Sequence, residues 1–168
     1  MAVTLVKEDG TGLSNANSYE DLAGAAAYFE GRTVAAWTAA TDDQKKRALI
    51  VGTTLLEGRY RHRWPGDALD VNTPQALSWP RSRAWDEEDR ALTGVPAAVR
   101  AATCELAAEQ LRAPQTAAIE RPLSSVSLGG AIDISWESGS GGSQRAMLPY
   151  VAELLTPIVG PVGRLVRA

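Results

Sequence analysis

Arg59, Arg61 and Arg63 alternate along the chain, with Tyr60 and Trp64 beside them. In an extended segment, alternate side chains share one face. A basic stripe interleaved with aromatic rings can bind single-stranded nucleic acid, cations meeting phosphates and rings stacking on bases. The same guanidinium groups can instead pair with carboxylates of this chain or of a neighbouring subunit, because their planar fork makes two parallel bonds. The residues leave both uses open. The stretch from Arg59 to Arg83 also carries Arg81 and Arg83, the single histidine and two of the five tryptophans. Its formal charge is +3 in a chain of net charge −3. Three prolines, Pro65, Pro74 and Pro80, remove backbone donors and push the residues before them out of the helical region. We therefore expect an extended connector over residues 59–94, with Trp64 and Trp79 on the core and the arginines outward.

Reactive chemistry finds little to work with. One histidine and one cysteine exclude a Cys/His zinc site. His62 has only Asp67 nearby as an orienting acid. Cys104 sits among alanines, as a buried, inert thiol would. Asp86, Glu87, Glu88 and Asp89 are consecutive, and on a helix they would point in different directions; a solvated acidic turn is expected. The glycine-rich run at Gly139–Ser143 is followed by Gln144 and Arg145, where a phosphate loop needs Lys and a hydroxyl. It reads as a linker. No HExxH or GxSxG pattern occurs. The expectation is a protein that is not an enzyme, with no catalytic, metal or cofactor-binding residues.

These residues must be held by a fold. A chain of 168 residues, 45% apolar and 22% charged, suits one globular domain. Its net acidity argues against a general nucleic-acid coat but allows a local basic patch. No apolar run approaches the roughly 18–20 residues of a membrane span. The opening MAVTLVKEDG lacks the basic-then-apolar pattern of a secretory signal, and a lone cysteine suits a reducing compartment.

Along the chain, residues 1–17 form an N-terminal arm, with Val3–Val6 a candidate strand. Residues 18–112 form the helical core. A first helix is expected over Tyr19–Glu30, capped by Asn17 or Ser18. A connector follows at Val34–Ala40, then a second helix over Asp42–Glu57 with Thr41 and Gln44 as a capping box and Gly58 as its stop. WDEEDRAL at 85–92 reads as one or two exposed helical turns. The clearest helix starts at Pro96, which suits the first helical position, and continues over Ala97–Arg112, apolar over a wide arc and so central. A β-hairpin is expected over 123–137, turning at Gly129-Gly130, then the linker at 138–146. A last helix over 147–159, with Pro157 past its end, and a tail at 160–168 complete the chain. The fold class is mainly α: a bundle of about four helices with a small β-hairpin and extended terminal segments.

Four stretches carry a likeness to known proteins: Glu8–Phe29 (EDGTGLSNANSYEDLAGAAAYF), Thr73–Arg81 (TPQALSWPR), Val95–Leu111 (VPAAVRAATCELAAEQL) and the final RLVRA. In order and spacing they resemble a tailed-phage group labelled DnaT-like single-stranded-DNA-binding proteins, which in turn resemble head-to-tail connector, or head-completion adaptor, proteins. The resemblance implies a helical adaptor forming a ring, typically a dodecamer, under the portal in the virion neck, after assembly in the host cytoplasm. Its implied partners are the portal protein, the next neck or tail-completion protein, further copies of itself, and double-stranded DNA passing through the channel without sequence-specific binding. Expected interface residues are Arg164, Leu165, Val166 and Arg167 in the tail, and Arg59, Arg61, Arg63, Arg81 and Arg83 in the connector. The alternative that the label implies is a single-stranded-DNA-binding protein.

Overall fold

Thr41 opens the longest helix. Its hydroxyl accepts from Gln44 N–H at 3.3 Å, while Gln44 Oε1 accepts from Thr41 N–H at 2.8 Å. Two donors that a helix start leaves unpaired are thereby satisfied, as the capping-box pattern requires. Asp42 and Asp43 occupy the first turn, at the positive end of the helix dipole. The computed structural model describes residues 2–69, 74–113 and 149–160. Among them are five helices: α1 (Leu22–Phe29), α2 (Ala35–Ala39), α3 (Asp42–Tyr60), α4 (Ala97–Arg112) and α5 (Pro149–Val159). Two short strands, β1 (Asp67–Ala68) and β2 (Arg81–Ser82), pair antiparallel, with Asp67 opposite Ser82 and Ala68 opposite Arg81. The fold is mainly helical, as the sequence leads one to expect.

Helix α4 is the centre and packs against every other helix. Small residues let α3 come close to it. A Cβ built on Gly52 would lie 2.9 Å from the Thr103 carbonyl oxygen and 3.2 Å from Ala107 N. One side of α4 supplies Val99, Ala102 and Leu106 to a cluster with Tyr19, Leu56, Trp64, Trp79 and, from α5, Val151 and Leu155. Another side supplies Cys104 and Ala107 to a cluster with Ala25, Phe29, Trp37 and Leu49. Trp37 reaches this second cluster from α2, where the sequence led us to expect only a connector.

Several boundaries differ from expectation, each for a local reason. Helix α1 is capped by Asp21, whose Oδ1 accepts from Gly24 N–H at 2.7 Å. Asn17 and Ser18 are occupied elsewhere: Asn17 Oδ1 accepts from Val6 N–H, and Ser18 Oγ donates to the Glu20 carbonyl. Val3–Val6 is an extended arm rather than a strand, held by Asn17 and Ser18 N–H donating to the Val6 carbonyl. Helix α3 runs through Gly58 to Tyr60, because Tyr60, 3% exposed, belongs to the core and needs the extra turn. WDEEDRAL is a tight loop. Asp86 Oδ1 accepts from Glu88 and Arg90 N–H, and Leu92 N–H closes back on the Ala84 carbonyl. An aspartate bonding to its own following backbone competes with helix formation. Pro157 lies within the last turn of α5 rather than beyond it. The expected hairpin at 123–137 and linker at 138–146 lie outside the described residues.

Candidate nucleic-acid interface

The arginine stretch begins on a helix, not on an extended strand. Arg59 is in the last turn of α3, and Arg61 is its C-cap with φ −47° and ψ −41°. Successive helical residues step by about 100°, so Arg59 and Arg61 diverge instead of sharing a face. Arg59 and Arg61 are exposed and make no ion pair or side-chain hydrogen bond among the described residues. Their charge does complement the negative end of the α3 dipole. Arg63 turns inward. Its guanidinium lies 5.4 Å from the Tyr60 ring centroid, and Nη2 donates to the Gly160 carbonyl at 3.4 Å.

The aromatic partners are not free. Tyr60, Trp64 and Trp79 are all buried in the first cluster. Tyr60 and Trp64 have ring centroids 5.5 Å apart, and Trp64 and Trp79 meet edge-on at 5.9 Å. The Trp64 and Trp79 indole N–H groups find no hydrogen-bond partner among the described residues. Burial of Trp64 and Trp79 fits the sequence reading, and it removes them as stacking surfaces for bases.

Arg81 and Arg83 serve the loop that carries them. Arg81 Nε donates to the Pro65 carbonyl and Nη2 to the Gly66 carbonyl, each at 2.6 Å. Arg83 Nη2 pairs with Asp67 Oδ2 at 2.5 Å, with both side chains more than half exposed. Gly66, at φ +70°, permits this approach: a Cβ there would lie 2.3 Å from the Ser82 carbonyl oxygen. A polar knot then ties the loop to α3. Glu57 Oε1 accepts from the Tyr19 hydroxyl, Glu57 Oε2 accepts from Ser78 Oγ at 2.6 Å, and Trp79 N–H donates to the Tyr19 hydroxyl at 3.2 Å. Burial, with the Glu57 charge beside it, pushes the Tyr19 phenol well above its usual range.

Of the nine expected interface residues, Arg164, Leu165, Val166 and Arg167 lie outside the described residues. The other five divide: Arg59 and Arg61 present free charge, Arg63 and Arg81 are spent on backbone carbonyls, and Arg83 holds Asp67. Sequence reasoning passed over Trp85, which is 50% exposed. The acidic run beginning at the next residue was the available sign, since it places the indole on a solvated loop. Cys104 is buried, and burial pushes its thiol up to about 12.

The geometry defines a charged surface on a mainly helical protein. A protein family described as "Putative DnaT-like ssDNA binding protein" matches residues 3–168. The chain belongs to this family. No curated protein and no solved structure matches it.

Proposed function

We propose that this protein binds single-stranded DNA through Arg59 and Arg61, without catalysing a reaction on it. Family membership supports the choice of ligand. The observation that carries the site is the pair of exposed guanidinium groups at the end of α3, unpaired among the described residues. With Tyr60, Trp64 and Trp79 buried, affinity rests on phosphate contacts rather than stacking. Binding of that kind is tolerant of sequence and steep in salt. Fluorescence anisotropy of a labelled oligonucleotide at rising salt tests this. Each lost contact to a single strand lowers the log–log salt slope by about 0.7, so the double variant R59A/R61A should lower it by about 1.4. An unchanged slope would move the site elsewhere, and no binding by the parent protein at low salt would remove the reading.

A second reading is the head-to-tail adaptor: a ring under the portal that extends the DNA channel and offers a platform to the next neck protein. The burial of the aromatic rings favours it, because arginines without open rings suit carboxylates of a neighbouring subunit as well as phosphates. Ring contacts between identical subunits join unlike faces. Arg59 and Arg61, exposed and without an ion pair among the described residues, would supply charge to such contacts. Incubation with portal protein, followed by electron microscopy, separates the two readings: a ring on the portal supports the adaptor, and its absence from assembled particles rejects it.

A further inference from the structure

Arginines that grip phosphate do not tell a single strand from a duplex, since both carry charge along the backbone. A stacking platform does, because only an unpaired base can leave its neighbours and lie on a ring. Tyr60, Trp64 and Trp79 are buried, but Trp85 is 50% exposed. It borders a groove of about 270 Å3, lined also by Leu69, Pro80, Arg81, Arg83 and Leu92. Leu69 is itself 44% exposed. The groove is smaller than the roughly 300 Å3 at which drug-sized pockets begin, which suits one flat base. No acidic residue lines it.

The wall of the groove is basic. Arg81 gives its N–H groups to the Pro65 and Gly66 carbonyls, which are neutral acceptors and leave its charge in place. Arg83 pairs with Asp67, but the two side chains are 74% and 52% exposed. An ion pair so open to water is weak, and a phosphate can take the guanidinium from it. The acids that follow Trp85 are placed elsewhere. Asp86 and Glu88 pair with Arg90 at 2.8 Å and 2.9 Å. Glu87 Oε1 lies beside Gly160, at the end of α5, where a Cβ would come within 3.9 Å of it. Asp89 is exposed and, like the other three, does not line the groove. The groove also lies near Arg59 and Arg61. Gly66 comes five residues after Arg61, a span of at most roughly 18 Å. A Cβ on Gly66 would lie 2.7 Å from the Arg83 carbonyl oxygen. One strand can therefore touch both places.

We propose that the Trp85 groove takes one unpaired base of single-stranded DNA: the indole stacks on the base, Leu69 packs against its edge, and Arg83 meets the adjoining phosphate. This inference rests on the single-stranded-DNA reading and adds to it the element that selects a single strand over a duplex. The test is fluorescence anisotropy with three labelled ligands: an oligothymidine strand, an abasic strand of equal length and a duplex. The full chain is compared with W85A, W85F and R83N; asparagine suits position 83, where φ is +53°. W85A should weaken oligothymidine binding roughly 5- to 150-fold without changing its salt slope, and W85F, which keeps a ring, should lose less. Neither should weaken binding of the abasic strand or the duplex, which offer no free base. R83N should instead lower the oligothymidine salt slope by about 0.7. An equal W85A penalty on the abasic strand overturns the proposal, as does an unchanged slope in R83N. So does a W85A variant that binds DNA like the parent but loses self-association, which would assign the groove to a neighbouring subunit. A parent protein that binds none of the three ligands fails the single-stranded-DNA reading and this proposal together. Parent binding that W85A leaves intact sinks the groove alone and spares Arg59 and Arg61.

Discussion

Gly52→Ala tests the central crossing of α3 and α4. Two effects oppose each other. Alanine is favoured over glycine inside a helix by about 1 kcal/mol. The added methyl, however, would meet Thr103 O at 2.9 Å, Ala107 N at 3.2 Å and Leu106 Cβ at 3.3 Å. Two of these atoms are backbone and cannot swing aside. Nor can α4 retreat freely, since α1, α2 and α5 also pack on it. Inserting one carbon into a tight core costs about 1–3 kcal/mol. The net expectation is a loss of about 1 kcal/mol, with steric cost outweighing propensity. Gly58→Ala is the internal control: same helix, same exchange, and nothing within 4 Å of the new methyl. It should gain about 0.5–1 kcal/mol. Equilibrium urea denaturation followed by circular dichroism reads both. If G52A proves as stable as G58A, the close approach of the two helices is wrong.

Thr41→Ala removes the capping box of α3 and should cost about 1 kcal/mol, read from the same urea midpoint. Glu57→Ala strips the acceptor from the Tyr19 hydroxyl and Ser78 Oγ and should cost about 1–3 kcal/mol, with thermal melting as the check. Alkaline pH should destabilise the fold through Cys104. Its thiol is held up to about 12 in the native state against an ordinary 9.0, so the native state keeps a proton that the unfolded chain releases. The associated stability is complete below pH 9.0 and declines as pH rises toward about 12. Tyr19, also raised, acts in the same direction from a higher starting pH. Urea midpoints measured at pH 8 and pH 10.5 should therefore fall, and C104A should fall less.

Features that depend on neighbours in sequence were legible. The Thr41–Gln44 cap, the entry to α4 at Pro96 and the small-residue face of α3 at Ala48 and Gly52 all follow from local chemistry. So did burial of Trp64 and Trp79, large rings in an otherwise polar stretch. What escaped was set by tertiary demand. Gly58 reads as a stop until Tyr60 is known to need a place in the core, and that extra turn converts an expected stripe of arginines into diverging side chains. The two-residue pairing of β1 and β2 has no periodicity to read; it rests on Gly66 and on Arg81 bonding to distant carbonyls. Asp21 took the cap of α1 because Asn17 and Ser18 were already engaged with the arm and the turn.

The late position of α5 has a consequence for synthesis. Val151, Leu155 and Ile158 fill the cluster around Tyr19, Trp64 and Trp79, residues made much earlier. A ribosome adding about 5–20 residues per second needs several seconds to travel from the end of α4 to the end of α5. Throughout that interval the nascent polypeptide carries a greasy flank awaiting its lid. Chaperone capture, or clumping between neighbouring nascent chains on a crowded message, should concentrate in that window.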